Sequence, residues 1–333
     1  MKTIGIIARG IIIPLLIILF FTGCAPIEQS ESAAAVSPET VSPEGSNAIV
    51  ESSAPQQQAH QTLTFLFFSD TQPDPDTMDQ TGLGNMLRQA VEAEDSTDLV
   101  IFGGDMVDDG GDEAQWLHFW QAAGSALNGV VTAAVPGNHD HHVLLSEQFD
   151  YPDTAPVLPE EGFFYSLRIG SVFFVMLDSN IMGAANQQDM DWLKEELESE
   201  DSRTADWRIA VMHHPMWTAV DNPKDAQRAD TMREYFLPIL EANNVQLILC
   251  GHQHVYSRTL PMRGDAAADD ESGIVQIMAA SGDKASYSIG ERDYVVTSDQ
   301  APNYLLLSAD GECLSITAFN SENIVIDQYS IYN

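Results

Sequence analysis

Five short polar clusters bring together residue types that bind metal ions and transfer protons. Each cluster follows an apolar segment, either directly or after one residue. In chain order they are Asp70-Thr71-Gln72, Gly104-Asp105, Gly137-Asn138-His139-Asp140, His213-His214-Pro215 and Gly251-His252-Gln253-His254. A single Asp after an apolar segment is usually a helix cap or a turn residue. Carboxylate, amide and imidazole groups repeated after five segments instead indicate one shared site for divalent metals.

The apolar segments that precede these clusters are typical of strands buried on both faces. They are Leu63–Phe68, Leu99–Phe102, Val130–Val135, Trp207–Met212 and Val245–Cys250. Helical spacing of apolar residues over 78–93 and 113–127 separates the first three, which predicts βαβ units with parallel strands. Ligands of open α/β sheets bind at the carboxyl ends of the strands. We therefore expect the five clusters to converge on one crevice.

The rest of the folded part is predicted to be richer in strands. Further strands are expected at Phe163–Ile169, Val172–Leu177, Ile274–Ala279, Tyr304–Ser308, Cys313–Phe319 and Ile324–Tyr329. Asp310-Gly311 is a tight-turn signal between two of them. Because residues 62–333 contain no segment with the composition of a linker, we predict that they form one domain.

In this order the clusters resemble the signature of the calcineurin-like metallophosphoesterase superfamily, which reads D-x-[H/G/Q], GD, GNH[D/E], H-x-P and GHxH. The segment from Gly251 to Thr259 further resembles the purple-acid-phosphatase-like branch and favours a bacterial secreted member. The motifs extend from Asp70 to His254, over most of the folded part. The resemblance implies an α/β fold, a four-layer α/β/β/α sandwich of two mixed β-sheets flanked by helices.

The resemblance also implies a site with two divalent metal ions, whose ligand types suit Zn, Fe or Mn. Asp105 would bridge the two ions. By the same resemblance, Asp70 and His254 would complete one site, and Asn138, His213 and His252 the other. His139 would bind phosphate and protonate the leaving oxygen. Asp140, next to it, could hold the His139 ring in the required tautomer.

Two positions depart from the family pattern. Gln72 stands where most members carry His, and its amide oxygen could either bind a metal ion or orient a water molecule. Asp108 stands where purple acid phosphatases carry the Tyr whose phenolate gives the colour. We therefore expect the protein not to be purple and its first metal site to be labile.

The implied reaction is hydrolysis of phosphate esters by a metal-bridging hydroxide. A phosphomonoesterase is the favoured interpretation, and the alternative is a phosphodiesterase acting on cyclic nucleotides or on headgroup or polymer diesters. We expect the stretch from Asp140 to Gly162 to lie over the crevice and to separate these two activities. A third hypothesis, a non-catalytic binding lipoprotein with a decayed site, is disfavoured because only Gln72 departs from the common ligand pattern.

The composition of the chain is strongly acidic. It has 50 Asp and Glu against 14 Lys and Arg among 333 residues, and a formal net charge of −36. Such a surface repels nucleic acids and anionic lipid headgroups, and it favours a soluble monomer. Bound cations would invert this field locally, so that a phosphate-ester substrate is compatible with the acidity.

The N-terminal segment predicts export and anchoring. Residues 1–24 combine a basic start, a short apolar run and a bacterial lipoprotein-type cleavage box before Cys24. Lipidation of Cys24 would anchor the protein outside the cytoplasmic membrane; an ordinary signal peptide or a short anchor helix is the alternative. Residues 25–61, rich in Ser, Ala, Glu, Gln and Pro, are predicted to be a disordered tether.

Other notable side chains are expected to have structural roles. His214 is predicted to pack beside the ligand His213. Trp217, Tyr256 and Arg258 follow the clusters but are expected to pack or to form hydrogen bonds at the surface. Cys250 and Cys313 lie in apolar segments and are predicted to be buried free thiols rather than a disulfide.

Overall fold

A computed structural model describes residues 62–94, 96–140, 142–149, 157–158, 162–180, 187–269, 272–284 and 286–333. The predicted signal segment, the predicted lipidation site at Cys24 and the predicted tether of residues 25–61 lie outside the described residues. Within the described ranges, no helix is both long and apolar enough to cross a membrane.

The described residues form strands and helices in alternation over the first two thirds, followed by strands alone. The strands are β1 (Leu63–Phe68), β2 (Leu99–Phe102), β3 (Val131–Ala134), β4 (Val157–Leu158), β5 (Gly162–Phe163), β6 (Tyr165–Ile169), β7 (Val172–Leu177), β8 (Trp207–Met212), β9 (Leu247–Cys250), β10 (Tyr256–Thr259), β11 (Met262–Arg263), β12 (Ala266–Ala267), β13 (Val275–Met278), β14 (Val295–Asp299), β15 (Asn303–Ala309), β16 (Cys313–Asn320) and β17 (Val325–Tyr332). The helices are α1 (Thr81–Glu92), α2 (Glu113–Ala123), α3 (His142–Gln148), α4 (Gln187–Leu197), α5 (Glu200–Arg203), α6 (Pro223–Tyr235) and α7 (Leu237–Ala242).

Two large mixed sheets are formed by these strands. The first has the strand order β17-β16-β15-β1-β2-β3, and the second has the order β14-β10-β13-β9-β8-β7-β6. In the first sheet β1, β2 and β3 are parallel, whereas β15 pairs antiparallel with β1. In the second sheet β7, β8, β9 and β13 are parallel, with antiparallel strands at both ends.

Three apolar cores hold four layers together. Along β1, Phe65 and Phe67 point into the core between the two sheets, while Leu66 and Phe68 point into a core shared with α1 and α2. The outer face of the second sheet packs against α4, α6 and α7 in a third core. Successive residues of a strand face opposite sides of its sheet. A strand that is covered by helices on one side and by the other sheet on the other therefore carries apolar residues on both of its faces. The layers confirm the predicted α/β/β/α sandwich.

The predicted strands with apolar sequences match the structure closely, whereas polar elements were missed. The strand predicted at Phe163–Ile169 is divided into β5 and β6, which pair with different partners. β10 and β14 were not predicted, and neither were α4 to α7. In the stretch predicted to lie over the crevice, α3 is anchored through Leu145 in the core beneath α1 and α2. Much of the rest of that stretch lies outside the described residues, so that its position over the crevice stays a prediction.

Tyr256 and Arg258 have structural roles, as expected. Both lie on β10 and bind Asp327 of β17, so that they connect the edge regions of the two sheets. The Tyr256 hydroxyl donates to Asp327 Oδ2 at 2.6 Å, and Arg258 Nε donates to the same oxygen at 2.6 Å. The Arg258 guanidinium also lies 4.4 Å from the centre of the Tyr329 ring. Cys250 and Cys313 are buried, and they form no disulfide with each other, as predicted.

Candidate metal centre

All five polar clusters lie at the carboxyl ends of strands, three after β1, β2 and β3 of the first sheet and two after β8 and β9 of the second. Hydrogen bonds join the loops of the two sheets. The His252 backbone N–H donates to the Asp70 carboxylate at 3.0 and 2.8 Å, and His213 Nδ1 lies 2.9 Å from the Gly103 carbonyl oxygen. The clusters therefore converge on one site, as the strand pattern predicts.

Four of the predicted ligands lie in left-handed backbone conformations. The φ angles are 49° at Asp70, 53° at Asp105, 76° at His252 and 50° at His254. This region is costly for residues other than glycine, and such strain concentrates at functional sites. The loops thus hold these side chains in directions that relaxed backbone would not give.

Two motif glycines are required because the carboxylates pack directly on them. A Cβ atom on Gly137 would lie 2.1 Å from Asp105 Oδ1, and one on Gly251 would lie 2.1 Å from Asp70 Oδ2. Both distances are far below van der Waals contact. Any side chain at either position would displace a predicted ligand.

Asp70, Asp105 and His213 form a buried group whose ligand atoms lie within 4.8 Å of one another. His213 Nδ1 donates to the Gly103 carbonyl, which leaves the lone pair on Nε2. That nitrogen is buried without a hydrogen-bond partner among the described residues and lies 3.3 Å from Asp105 Oδ2. An imidazole lone pair beside carboxylates is what a divalent metal ion requires, so these residues fit the implied metal.

The electrostatics of this group show how strongly it attracts a cation. Burial alone would lower the pKa of His213, but Asp105 outweighs that effect and raises the pKa to about 9. Burial would raise the pKa of Asp105, and His213 nevertheless holds it well below its ordinary value. A proton on His213 thus occupies the position of a metal ion when no metal is bound.

His252 is held by a carboxylate that the sequence analysis did not identify. Its Nε2 lies 3.2 Å from Asp225 Oδ1 and 3.2 Å from Arg228 Nη1. The tautomer that donates from Nε2 to Asp225 leaves the Nδ1 lone pair for a metal ion, in the usual carboxylate–histidine–metal arrangement. Burial lowers the pKa of His252, which favours the neutral ring that a ligand needs.

His254 and Gln72 flank the Asp70 side of the site. His254 Nε2 lies 3.4 Å from Asp70 Oδ1. The Gln72 amide is best satisfied when Nε2 donates to the carbonyl oxygens of Asp70, at 3.3 Å, and Asp105, at 2.7 Å. Its Oε1 then faces the site, where the side chain lies 3.4 Å from Asp105 Oδ2. Two oxygens so placed suit a shared cation, which supports Gln72 as a ligand.

Asp140 differs from the expectation, and Asn138 stays a prediction. Asn138 is exposed, and no contact of its side chain tests its role as a ligand. Asp140 does not orient His139: its carboxylate accepts from the backbone N–H groups of Asp105, Met106 and Gly137 at 2.7, 3.2 and 2.9 Å. Burial and Asp105 raise the pKa of Asp140 to about 7. Its role is to join two ligand loops.

The His139 ring is oriented by other residues. Its Nδ1 lies 2.6 Å from the Asp108 carbonyl oxygen, and its Nε2 lies 3.1 Å from Lys284 Nζ. The backbone N–H of His139 donates to Asp105 Oδ1 at 2.8 Å. This half-buried imidazole therefore lies at the edge of the buried group, next to the carboxylate that is predicted to bridge the metal ions.

His214 is more than a packed neighbour. Its Nδ1 lies 2.8 Å from Ser179 Oγ, and its Nε2 is buried with no hydrogen-bond partner among the described residues. Ligand atoms of His213, His214 and His252 also lie within 4.8 Å of one another. Burial holds the pKa of His214 well below its usual value. His214 is therefore a neutral, additional candidate ligand.

Lys284 and Asp225 are two residues at the site that the sequence analysis missed. Lys284 lies in the loop after β13, a strand that was predicted. Ligands bind at the carboxyl ends of strands, and that expectation, extended to β13, would have identified Lys284. Asp225 lies in the first turn of α6, which begins with Pro223 after the N-cap Asn222. That pair is a helix-start signal, although it does not reveal the contact with His252.

The model of the calcineurin-like phosphoesterase family matches residues 63–256. Among curated proteins, an uncharacterised protein of Mycobacterium tuberculosis is 29% identical over 160 residues, covering 41% of this chain and 30% of the relative. Purple acid phosphatase 23 of Arabidopsis thaliana is 28% identical over 137 residues, covering 39% of this chain and 29% of the relative. The chain thus matches less than a third of the length of these relatives.

A solved purple acid phosphatase from yellow lupin (Lupinus luteus) seeds has a similar fold. The TM-score is 0.68 at 17% sequence identity, and the alignment covers 82% of this chain and 54% of the lupin chain. The similarity therefore extends beyond the segment matched by the family model, to nearly all of the two-sheet sandwich.

Proposed function

Because the chain belongs to the calcineurin-like phosphoesterase family, we propose that it is a phosphoesterase with two divalent metal ions that hydrolyses phosphate esters. The observation that carries this proposal is the buried group of Asp70, Asp105 and His213, in which an imidazole nitrogen lies within 4.8 Å of two carboxylates. A group of this kind is costly to bury unless a cation compensates the charge.

The side chains would divide between two metal ions that share Asp105. Asp70, His254 and Gln72 would hold one ion, and His213 and His252 the other, with Asn138 or His214 completing it. When bound, the ions would lower the pKa of a water nucleophile and neutralise phosphoryl oxygens. Their identity, Zn, Fe or Mn, does not follow from the ligand types.

His139 would protonate the leaving oxygen. It lies beside Asp105 without joining the buried group, and the Asp108 carbonyl fixes its Nδ1 proton at 2.6 Å. Its Nε2 accepts from Lys284 Nζ at 3.1 Å, so that it would act as the acid only after it has gained a proton and the ammonium group has turned to the substrate. This geometry is that of a general acid positioned next to a metal centre.

A phosphomonoesterase is the favoured activity, with hydrolysis of cyclic-nucleotide, headgroup or polymer diesters as the alternative. The experiment uses residues 62–333, stripped with a chelator and titrated with Mn, Zn and Fe, then assayed on p-nitrophenyl phosphate and on its bis ester. Activity that returns with two metal ions per chain supports the proposal. Metal binding with no turnover on any ester, or no metal binding, contradicts it.

His139→Ala tests the assignment of the acid. We expect the variant to keep its full metal content and to lose about 100-fold to 10,000-fold in kcat, the usual contribution of general acid catalysis. Loss of metal from this variant would contradict the assignment.

We further propose that the protein is a lipoprotein anchored outside the cytoplasmic membrane through Cys24. The basic start, the short apolar run and the small residues before Cys24 support this proposal. It predicts that the full chain incorporates labelled palmitate and sediments with membranes, and that Cys24→Ala does neither. Membrane association of the unlabelled Cys24→Ala variant would point to an anchor helix instead.

A further inference from the structure

Lys284 is held at the edge of the metal centre by two contacts. Its Nζ donates to Asp108 Oδ1 at 2.9 Å and lies 3.1 Å from His139 Nε2. An ammonium group has three N–H donors and no acceptor, so that Lys284 must donate in both contacts. The side chain is 23% exposed, which leaves its third N–H able to meet a ligand.

The backbone near Lys284 is attached to the first ligand loop. The Ser281 N–H donates to the Ser69 carbonyl at 2.7 Å, and the Gly282 N–H donates to the Asp70 carbonyl at 2.8 Å. A Cβ on Gly282 would lie only 2.4 Å from the Asp70 oxygen. Lys284 is therefore placed relative to Asp70 by short backbone connections and not by its own flexible stem alone.

A cavity of about 220 Å³ lies beside this group. Its lining includes Asp70 and His254 from the metal centre together with Lys284, Gln300 and Pro302. The cavity thus joins the proposed metal ligands to a fixed positive charge. In a chain with only 14 Lys and Arg and a net charge of −36, a cation at this position counteracts the repulsion of an anionic substrate.

We propose that Lys284 binds a phosphoryl oxygen of the substrate and gives the site its preference for monoesters. A monoester is a dianion near neutral pH and presents one more charged, unesterified oxygen than a diester. Lys284 Nζ would donate to that oxygen, while Asp108 positions the ammonium group. This proposal rests on the phosphoesterase function and selects the substrate class within it.

The test compares Lys284→Met, which removes the charge at similar volume, with Lys284→Arg, which keeps it. Lys194→Met is the matched control, because Lys194 is an exposed residue of α4 with the same charge. Each metal-loaded protein is assayed on p-nitrophenyl phosphate and its bis ester, its metal content is counted, and its affinity for inorganic phosphate is measured by calorimetry.

A charge-assisted hydrogen bond corresponds to about a tenfold to hundredfold change in affinity. We expect Lys284→Met to lower kcat/KM for the monoester and to weaken phosphate binding by about that factor, with a much smaller change for the diester. Lys284→Arg should retain most of the monoester preference, and Lys194→Met should match the wild type. Asp108→Asn, which loosens Lys284 without removing it, should give an intermediate monoester loss.

Three results would overturn the proposal: equal losses on both esters, no change in phosphate affinity, or loss of metal from Lys284→Met, which would make the residue structural. Phosphate binding keeps this test separate from that of the phosphoesterase function. If the wild type hydrolyses neither ester, the function is wrong, and the phosphate affinities of the wild type and Lys284→Met still decide whether Lys284 binds phosphate.

Discussion

The two nitrogens of His213 divide structural and metal-binding roles between them. Nδ1 is fixed by the Gly103 carbonyl and Nε2 faces Asp105 at 3.3 Å. A metal ion and a proton therefore compete for the same lone pair. Protonation of this single residue should be visible in the stability of the metal-free protein.

We predict that the chelated protein loses stability between pH 6.5 and pH 9. The pKa of His213 is raised from 6.5 to about 9 in the folded state, so that its stabilisation is fully present below pH 6.5 and is lost as the pH rises through 9. The loss should be about 3 kcal/mol in the free energy of unfolding, measured by urea titration at the two pH values.

The same titration on His213→Gln provides the control. Its pH dependence should be smaller by that amount, because no imidazole remains to be deprotonated next to Asp105. Metal-loaded wild type should also lose the dependence, since the ion replaces the proton. An unchanged slope in His213→Gln would assign the pH dependence to other groups.

Asp225 should determine metal affinity through His252. We predict that Asp225→Asn weakens metal binding by about 10-fold to 100-fold, the usual effect of removing the carboxylate behind a histidine ligand. A competition titration against a chelator measures this. Asp221→Asn is the matched control, because Asp221 is an exposed carboxylate that pairs with Arg292; equal affinities of the two variants would contradict the prediction.

At the scale of strands and helices, apolar content determined what could be predicted. β1, β2, β7 and β8 have the predicted bounds, because strands covered on both faces are apolar at nearly every position. The exceptions, Thr64 and Arg208, are only partly buried. β10 has the sequence Tyr-Ser-Arg-Thr and is nevertheless fully buried. Its polar groups form hydrogen bonds with residues distant in sequence, such as Asp327. The sequence near β10 contains no pattern that predicts these partners.

The residues of the candidate site were likewise predictable only where they follow apolar strands. The clusters after apolar strands were found, and with them Asp70, Asp105 and the motif histidines. Asp140 was assigned the wrong partner, because adjacency in sequence suggested His139, whereas the turn directs its carboxylate to backbone N–H groups of the neighbouring loop. Lys284 reaches His139 across 145 positions of the chain, and only the packing of the two sheets creates that contact.

The contact of β10 with β17 should contribute substantially to stability. Asp327→Ala leaves Arg258 and the Tyr256 hydroxyl without their shared acceptor in a largely buried position. We predict a loss of about 3 kcal/mol in the free energy of unfolding, as for other buried ion pairs that lose one partner. Urea denaturation measures it, and Tyr256→Phe should cost less because the ion pair survives. Equal losses of unfolding free energy in Asp327→Ala and Tyr256→Phe would contradict this prediction.

At the scale of the whole molecule, the order of strands links the two ends of the described chain. β1 lies between β2 and β15, and β15 carries β16 and β17 beyond it. The loop after β1 supplies Asp70, so that the C-terminal strands support the metal centre without contributing a ligand. The family model ends at residue 256, before these strands begin.

We predict that a chain ending at Pro302 does not fold, although it keeps every proposed ligand. Without β15, one edge of β1 loses its antiparallel partner over five residue pairs, and the core between the sheets loses Leu305, Leu307, Leu314 and Ile316. Far-ultraviolet circular dichroism and limited proteolysis check this. Cooperative unfolding together with metal binding by the truncated chain would refute it.

Because β1 lies between β2 and β15, the first sheet can be completed only late in the synthesis of the chain. A ribosome adding about 5 to 20 residues per second needs roughly ten to fifty seconds to proceed from β1 to β15. During that interval the first sheet cannot close, and non-local pairings of this kind form slowly even afterwards. The loops after β1, β2 and β3 offer no finished coordination sphere to a passing cation while translation continues. We therefore expect the protein to load metal ions only after β15 has been synthesised and paired with β1.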